Sequence, residues 1–281
     1  MVRTLLCLAL LVLGGFLPVA SHARPMRVVS INLCTDQLAM LVAGPGQLFS
    51  VSSLALDKNS SVMVEQAKNY HINHAKAEEV IRLKPDLVLA GTYTSYNTIS
   101  LLKRLGVRVE QFAPDSGFDT IREKILRLGL VLGQEDRAKQ IVHAFDMRLS
   151  EIEELQPKER KVLADYEPNS FTGGVGTLAH SMIKAAGFLH LGEELGLVGS
   201  TVKMPLETLI RNNPDYVMTW SQWSGGQARA TQVLGHPALD AWFGPERRIT
   251  VDTAHWICGG PFTLDAVAAL QRIYLDKEKR R

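Results

Sequence analysis

One nine-residue pattern, Glu-x-x-Ile-Arg-x-x-Pro-Asp, occurs twice in this chain, at 78–86 and at 207–215. In each copy the apolar positions suit a short amphipathic helix, which the proline stops. Behind each proline runs an apolar stretch, Leu-Val-Leu-Ala after Asp86 and Tyr-Val-Met-Thr-Trp after Asp215, that reads as a strand buried on both faces. A helix running into a buried strand, placed once in each half, implies two related α/β lobes.

The flanking sequence extends the alternation. Around the first copy, 27–31, 48–52, 86–90 and 107–112 read as strands, and 35–43, 77–84 and 98–105 as helices. From 118 to 155 the strand pattern stops. There 119–132 is a helix broken at Gly133, and 135–155 is one long helix of about 31 Å, with Ile141, Phe145, Leu149 and Ile152 on a single apolar stripe. Strands then return at 161–166, 215–220 and 248–252, with helices at 177–186, 205–212 and 264–279. The expected fold class is α/β with parallel sheets: one lobe at 24–118, connecting helices at 119–157 and a second lobe at 158–281.

Residues 1–23 stand outside this scheme. Arg3 precedes an apolar stretch broken by Gly14, Gly15 and Pro18, and Ser21-His22-Ala23 puts small residues where a signal peptidase reads. This segment is expected to be a Sec-type signal peptide, and the mature protein to be exported and soluble in an oxidising compartment. No other stretch is long and apolar enough to span a bilayer. The sequence carries 31 Lys plus Arg against 29 Asp plus Glu, and losing Arg3 brings it closer still to neutral, which argues against a nucleic-acid partner. Its 46% apolar content suffices for a sizeable core and excludes disorder as the general description.

Ligands of open α/β sheets bind beyond the carboxyl ends of the strands. The candidate ligand-binding residues are therefore Asn32, Leu33 and Cys34 after the first strand, Ser53 after the second and Tyr93 after 86–90. The second lobe adds Phe171 and Thr172, Trp220 and Trp223, and His255 and Trp256. Three of the four tryptophans thus fall at or just past a strand end, which suits a broad, partly apolar ligand with hydrogen-bonding edges. The alternative is that these aromatics cap the sheets or pack lobe against lobe.

No HExxH, GxSxG, Walker or EF-hand pattern is present, and no nucleophile pairs with a base at the strand ends, so neither catalytic residues nor an enzyme is expected. His71 and His74 form an HxxH in a polar stretch and read as solvated surface. His255, Asp36 and Glu167 are the metal-ligating types in the strand-end loops, short of the three or four converging ligands, roughly, that a free-ion carrier needs, so no metal site is expected. A zinc or manganese carrier and a secreted α/β enzyme are the competing readings. Gly174-Val175-Gly176-Thr177-Leu178-Ala179 resembles a GxGxxA dinucleotide turn but lies too far behind its strand; as a helix opening it offers backbone N–H groups to an anionic ligand edge. Of the three cysteines, Cys7 lies in the leader. Cys34 and Cys258 fall in strand-end loops of different lobes, and the sequence leaves open an interlobe disulfide or two buried thiols.

The leader, the first strand with its polar loop, "EEVIRLKPDLVLAG", the long helix between lobes, "NSFTGGVGTL" and "HWICGGP" together resemble the periplasmic binding proteins of iron-complex and cobalamin ABC importers, over nearly all of the mature chain. The resemblance implies two Rossmann-like lobes joined by a rigid helix, with a metal chelate held in the cleft as cargo and no other cofactor. It implies a periplasmic monomer that delivers this cargo to an inner-membrane ABC permease dimer with its ATPase subunits. It further implies that one glutamate per lobe, Glu78 and Glu207, docks on permease arginines. Phe171 and Trp256 match aromatic lining positions of the cobalamin binders, and Tyr93 follows the equivalent strand. Siderophore binders often add arginines that the strand-end loops here lack. The resemblance therefore leans toward a cobalamin-like corrinoid or a nearly neutral iron complex, with Tyr93, Tyr96 or His255 placed as an axial ligand should the cargo be haem.

Overall fold

The computed structural model describes residues 24–200, 202–220 and 229–279. The expected leader at 1–23 and Trp223 lie outside the described residues.

Short apolar runs build a first sheet. β1 (Val28–Ser30), β2 (Leu48–Ser52), β3 (His71–Asn73), β4 (Leu87–Gly91) and β5 (Val109–Phe112) pair in the order β3-β2-β1-β4-β5, and every pairing is parallel. Helices α1 (Leu33–Val42), α2 (Val64–Ala67), α3 (Ala77–Arg82) and α4 (Tyr96–Arg104) make the crossovers. Asn32 starts α1 two residues earlier than the periodicity suggests, because its side chain accepts from the N–H groups of Cys34 and Thr35. Two helices follow, α5 (Phe118–Leu132), stopped by Gly133 in the left-handed region, and the 20-residue α6 (Glu135–Glu154).

The second sheet repeats the first. β6 (Val162–Asp165), β8 (Leu189–His190), β10 (Tyr216–Trp220) and β11 (Arg248–Val251) run in the order β11-β10-β6-β8, again all parallel. β7 (Phe171–Thr172) and β9 (Val202–Lys203) form a small antiparallel pair beside it. The remaining helices are α7 (Leu178–Ala185), α8 (Leu191–Glu194), α9 (Leu206–Asn212), α10 (Pro237–Phe243), α11 (Ala254–Ile257) and α12 (Thr263–Lys279).

The nine-residue repeat is structural. Its two copies form α3 entering β4 and α9 entering β10, with Val80 and Leu209 fully buried and Glu78 and Glu207 exposed. Lys84 and Asn213, each ahead of the proline, share a left-handed backbone at φ 50° and 42°. Asp86 then accepts from the backbone N–H of Met26 and Arg27 at the root of β1, and Asp215 from that of Val162 at the root of β6.

Strand alternation divides the core into three. Val28, Leu87 and Leu89 of the first sheet and Leu163, Tyr216 and Met218 of the second face one continuous cluster, which also takes Phe145, Leu149 and Ile152 from α6. The odd-facing neighbours pack elsewhere: Val29, Val88 and Ala90 against α3 and α4, and Ala164 and Val217 against Leu209 and Leu239. Each sheet is thus buried on both faces, and its inner face is shared with the other lobe. Among the described residues no helix is long and apolar enough to cross a membrane.

Candidate functional site

The carboxyl ends of the two sheets meet. Cys34, in the first turn of α1, and Cys258, just past α11, form a disulfide with Cα atoms 5.2 Å apart, which resolves the alternative left open by the sequence. Alongside it, the backbone N–H of Gly259 donates to Asp115 Oδ2 at 3.1 Å, and the same oxygen takes the Lys124 ammonium at 2.6 Å in a nearly fully buried ion pair. The lobes are therefore joined at the carboxyl ends of their sheets by a covalent bond and by the Gly259–Asp115 hydrogen bond, as well as through their common core.

On the first lobe the loop after β4 presents Tyr93, and Tyr96 opens α4 just behind it; the two are 88% and 81% exposed. Gly91 N–H donates to Thr94 Oγ1 and so fixes the turn that lifts these rings off the sheet. Leu54 and Leu56 stand exposed on the 3-10 turn Ser53–Leu56 after β2, beside the half-buried Ser53. Large uncovered apolar side chains at the carboxyl end of a sheet are the feature expected of a candidate binding surface. Asn32 and Cys34 are half-buried but engaged, in the α1 cap and the disulfide, and Leu33 is only 6% exposed.

On the second lobe Asp165 ends β6 inside the protein. It accepts from His190 Nε2, Thr172 Oγ1 and Gly173 N, each at 2.8 Å, and His190 Nδ1 lies 3.1 Å from His180 Nδ1. Burial, then the neighbouring His190, pulls the His180 imidazole below its usual range. This web holds the hairpin that brings Phe171 forward, half-buried, with the Lys203 ammonium 5.6 Å over its ring. Thr172 itself is fully buried. Glu167, half-buried at the start of the same loop, has its carboxyl pushed up to about 7, first by burial and then by the charge of Asp165.

Trp220 is half-buried and meets Trp256 edge-on at 5.7 Å. Its indole Nε1 is buried without an acceptor among the described residues. Trp256 is 6% exposed and belongs to the shared core, so in this conformation it backs Trp220 rather than lining an open wall. His255 is half-buried and pairs with Asp252 at 3.3 Å.

Other sequence readings fall differently. Gly173, Gly174 and Val175 spend their N–H groups on Asp165, Gly199 and Leu197, and a Cβ on Gly174 would meet Leu197 O at 2.3 Å. These glycines allow close backbone packing and offer no cradle for an anion. His71 stacks on Phe49, while His74 pairs with Glu79, so the HxxH does not converge. His255, Asp36 and Glu167 do not meet either; among the described residues no three metal-ligating side chains come together. The Asp165–His190–His180 web was missed in the sequence, although an acid closing an apolar strand and two histidines among apolar neighbours were its signal.

Against known proteins, the model of the family described as "Periplasmic binding protein" matches residues 28–242. A cobalamin-binding protein of Halobacterium salinarum is 23% identical over 200 residues, covering 70% of this chain and 54% of that protein. The chain thus spans about half the length of that relative. An uncharacterised ABC transporter substrate-binding lipoprotein of Bacillus subtilis, YvrC, is 24% identical over 206 residues, covering 70% and 64%. Among solved structures, the apo periplasmic haem-binding protein RhuT of Roseiflexus sp. RS-1 superposes with a TM-score of 0.72 at 20% identity, over 89% of this chain and 98% of that one. The periplasmic vitamin B12-binding protein BtuF of Vibrio cholerae gives 0.68 at 17%, over 91% and 99%. At these identities the likeness is one of fold.

Proposed function

The chain belongs to the periplasmic binding protein family, and from that premise we propose that it captures a metal chelate between its lobes and hands it to an ABC importer. The observation that carries this reading is the pair of uncovered tyrosines, Tyr93 and Tyr96, at the carboxyl end of a sheet whose partner sheet is bonded opposite through Cys34–Cys258. Rigidly joined lobes lose little conformational entropy on closing over a large ring system. Phe171 and Trp220 supply the second wall, and Trp223 is assigned to it from the sequence. The relatives named for cobalamin and haem fit this cargo class.

Export to the periplasm by the segment 1–23, action as a monomer, and division at 24–118, 119–157 and 158–281 belong to the same reading. So does binding without catalysis. Glu78 and Glu207, exposed at equivalent points of α3 and α9, are the paired acids that would meet cationic pockets on a two-fold permease with its ATPase subunits. The test is native mass spectrometry with an absorption spectrum on protein isolated from its host. A bound corrinoid or iron chelate is expected; a bare zinc adduct, or turnover of a substrate, overturns the reading.

A further inference from the structure

Five identities recur in the two copies of the nine-residue repeat, and the fold itself uses three of them. Ile81 and Ile210 pack on the apolar clusters behind their sheets, Pro85 and Pro214 stop α3 and α9, and Asp86 and Asp215 fasten β1 and β6. The glutamates are taken by the permease reading. An arginine is left over, Arg82 in α3 and Arg211 in α9, four residues after each glutamate. Both arginines are exposed, and among the described residues neither makes a hydrogen bond or an ion-pair contact. At this spacing acid and base share one face of the helix, about 6 Å apart along its axis, yet Glu78 and Glu207 do not close onto them. Glu79, beside Arg82, is held by His74 at 3.2 Å, and Thr208 occupies that position in α9. Packing and pairing inside the described fold thus leave the repeated arginine unused, at the same point of both lobes.

We propose, resting on the permease reading, that Arg82 and Arg211 form a second pair of docking contacts and meet carboxylates on the two halves of the permease dimer. Each lobe then presents a short stripe of negative followed by positive charge. Two such stripes fit a two-fold partner whose halves carry the complementary order, a cation and then an acid. The added sign fixes the direction along each helix in which the partner lies, which a lone glutamate leaves open, and a reversed docking sets like charges against each other. Arginine suits the task because its planar fork takes a carboxylate with two parallel hydrogen bonds. An anionic bilayer is the poorer fit, since Glu78, Glu79 and Glu207 stand on the same short helices and its headgroups would repel them.

The test measures binding of the whole protein to inner-membrane vesicles of its host, and to liposomes of the same lipids without protein. Arg82→Ala with Arg211→Ala is expected to bind the vesicles roughly tenfold more weakly than wild type, with a flatter salt dependence. Charge reversal, Arg82→Glu with Arg211→Glu, should cost roughly a hundredfold. Both positions are exposed, so the unfolding midpoint should stay where it is; the single variants, each expected to lose roughly threefold, serve in place of a double variant that folds poorly. Vesicle binding untouched by the alanine pair, or a reversal no worse than alanine, overturns the inference and leaves the permease reading standing as long as Glu78→Ala with Glu207→Ala weakens binding. An equal loss on the protein-free liposomes also overturns it, because the arginines would then be reading headgroups. If neither the arginine nor the glutamate substitutions weaken binding to the vesicles, both readings fall.

Discussion

Cys34 and Cys258 are 224 residues apart in the chain and bonded to each other, one following β1 of the first lobe and the other following β11 of the second. A cross-link over so long a loop removes much of the freedom of the unfolded chain. Replacing both by serine is expected to lower stability by up to about 5 kcal/mol, less whatever structure the unfolded state retains. Urea unfolding of the variant, and of the wild type with and without reductant, measures it; an unmoved midpoint would show that the shared core alone holds the lobes.

The buried Lys124–Asp115 pair makes a second prediction. Lys124→Met strands a buried carboxylate and should cost about 3–5 kcal/mol, whereas adding Asp115→Asn should restore most of it, since the amide oxygen still accepts from Gly259 N–H. A double-mutant cycle in denaturant reads the coupling.

Asp36 gives a pH dependence of known sign. Fully buried, with Ser52 as donor and Oδ1 unpartnered among the described residues, its carboxyl is raised by burial from 3.8 to about 6. The folded state binds this proton more tightly than the unfolded chain. Its stabilising contribution is complete below pH 3.8 and is lost as pH climbs through about 6. Relative to wild type, Asp36→Asn should therefore gain about 3 kcal/mol between about pH 3.5 and about pH 7.5. A pH-independent difference would contradict the assignment.

Ligand contact and stability should separate at Tyr93. Because the ring is almost wholly exposed, Tyr93→Ala should leave the unfolding midpoint unchanged and weaken chelate binding by about 1–2 kcal/mol. Phe171→Ala should weaken binding similarly. Calorimetry paired with thermal unfolding distinguishes the two effects.

The permease assignment predicts the reverse separation. Glu78→Ala with Glu207→Ala should abolish most uptake in cells while chelate affinity stays within about twofold of wild type. A large loss of affinity would place these acids in the cleft instead.

The repeat was legible because two constraints coincide in it: proline ends a helix whatever surrounds it, and a strand buried on both faces must be apolar throughout. β3 (His71–Asn73) and β8 (Leu189–His190) escaped notice, since one apolar residue beside polar ones carries no strand signal; β1 is as short but registers through its apolar Val-Val pair. Strand-end position located the disulfide cysteines and the Tyr93 loop, but it does not say how deep a side chain sinks. Leu33, Thr172 and Trp256 follow strand ends and are still buried, because each belongs to an element that packs back on the protein: Leu33 opens α1, Thr172 lies in β7 and bonds Asp165, and Trp256 lies in α11 within the shared core. Leu56 was passed over for the opposite reason: it closes a 3-10 turn in an apolar stretch, where such a residue ordinarily packs inward, yet it stands exposed.

Asp86 and Asp215 fasten β1 and β6 at their starts, the ends remote from the cleft. Strand register in each lobe is thereby anchored where no ligand reaches. Loops at the far end are free to lengthen, shorten or exchange side chains across evolutionary time without disturbing the sheets beneath them, which allows one scaffold to be refitted for successive cargoes.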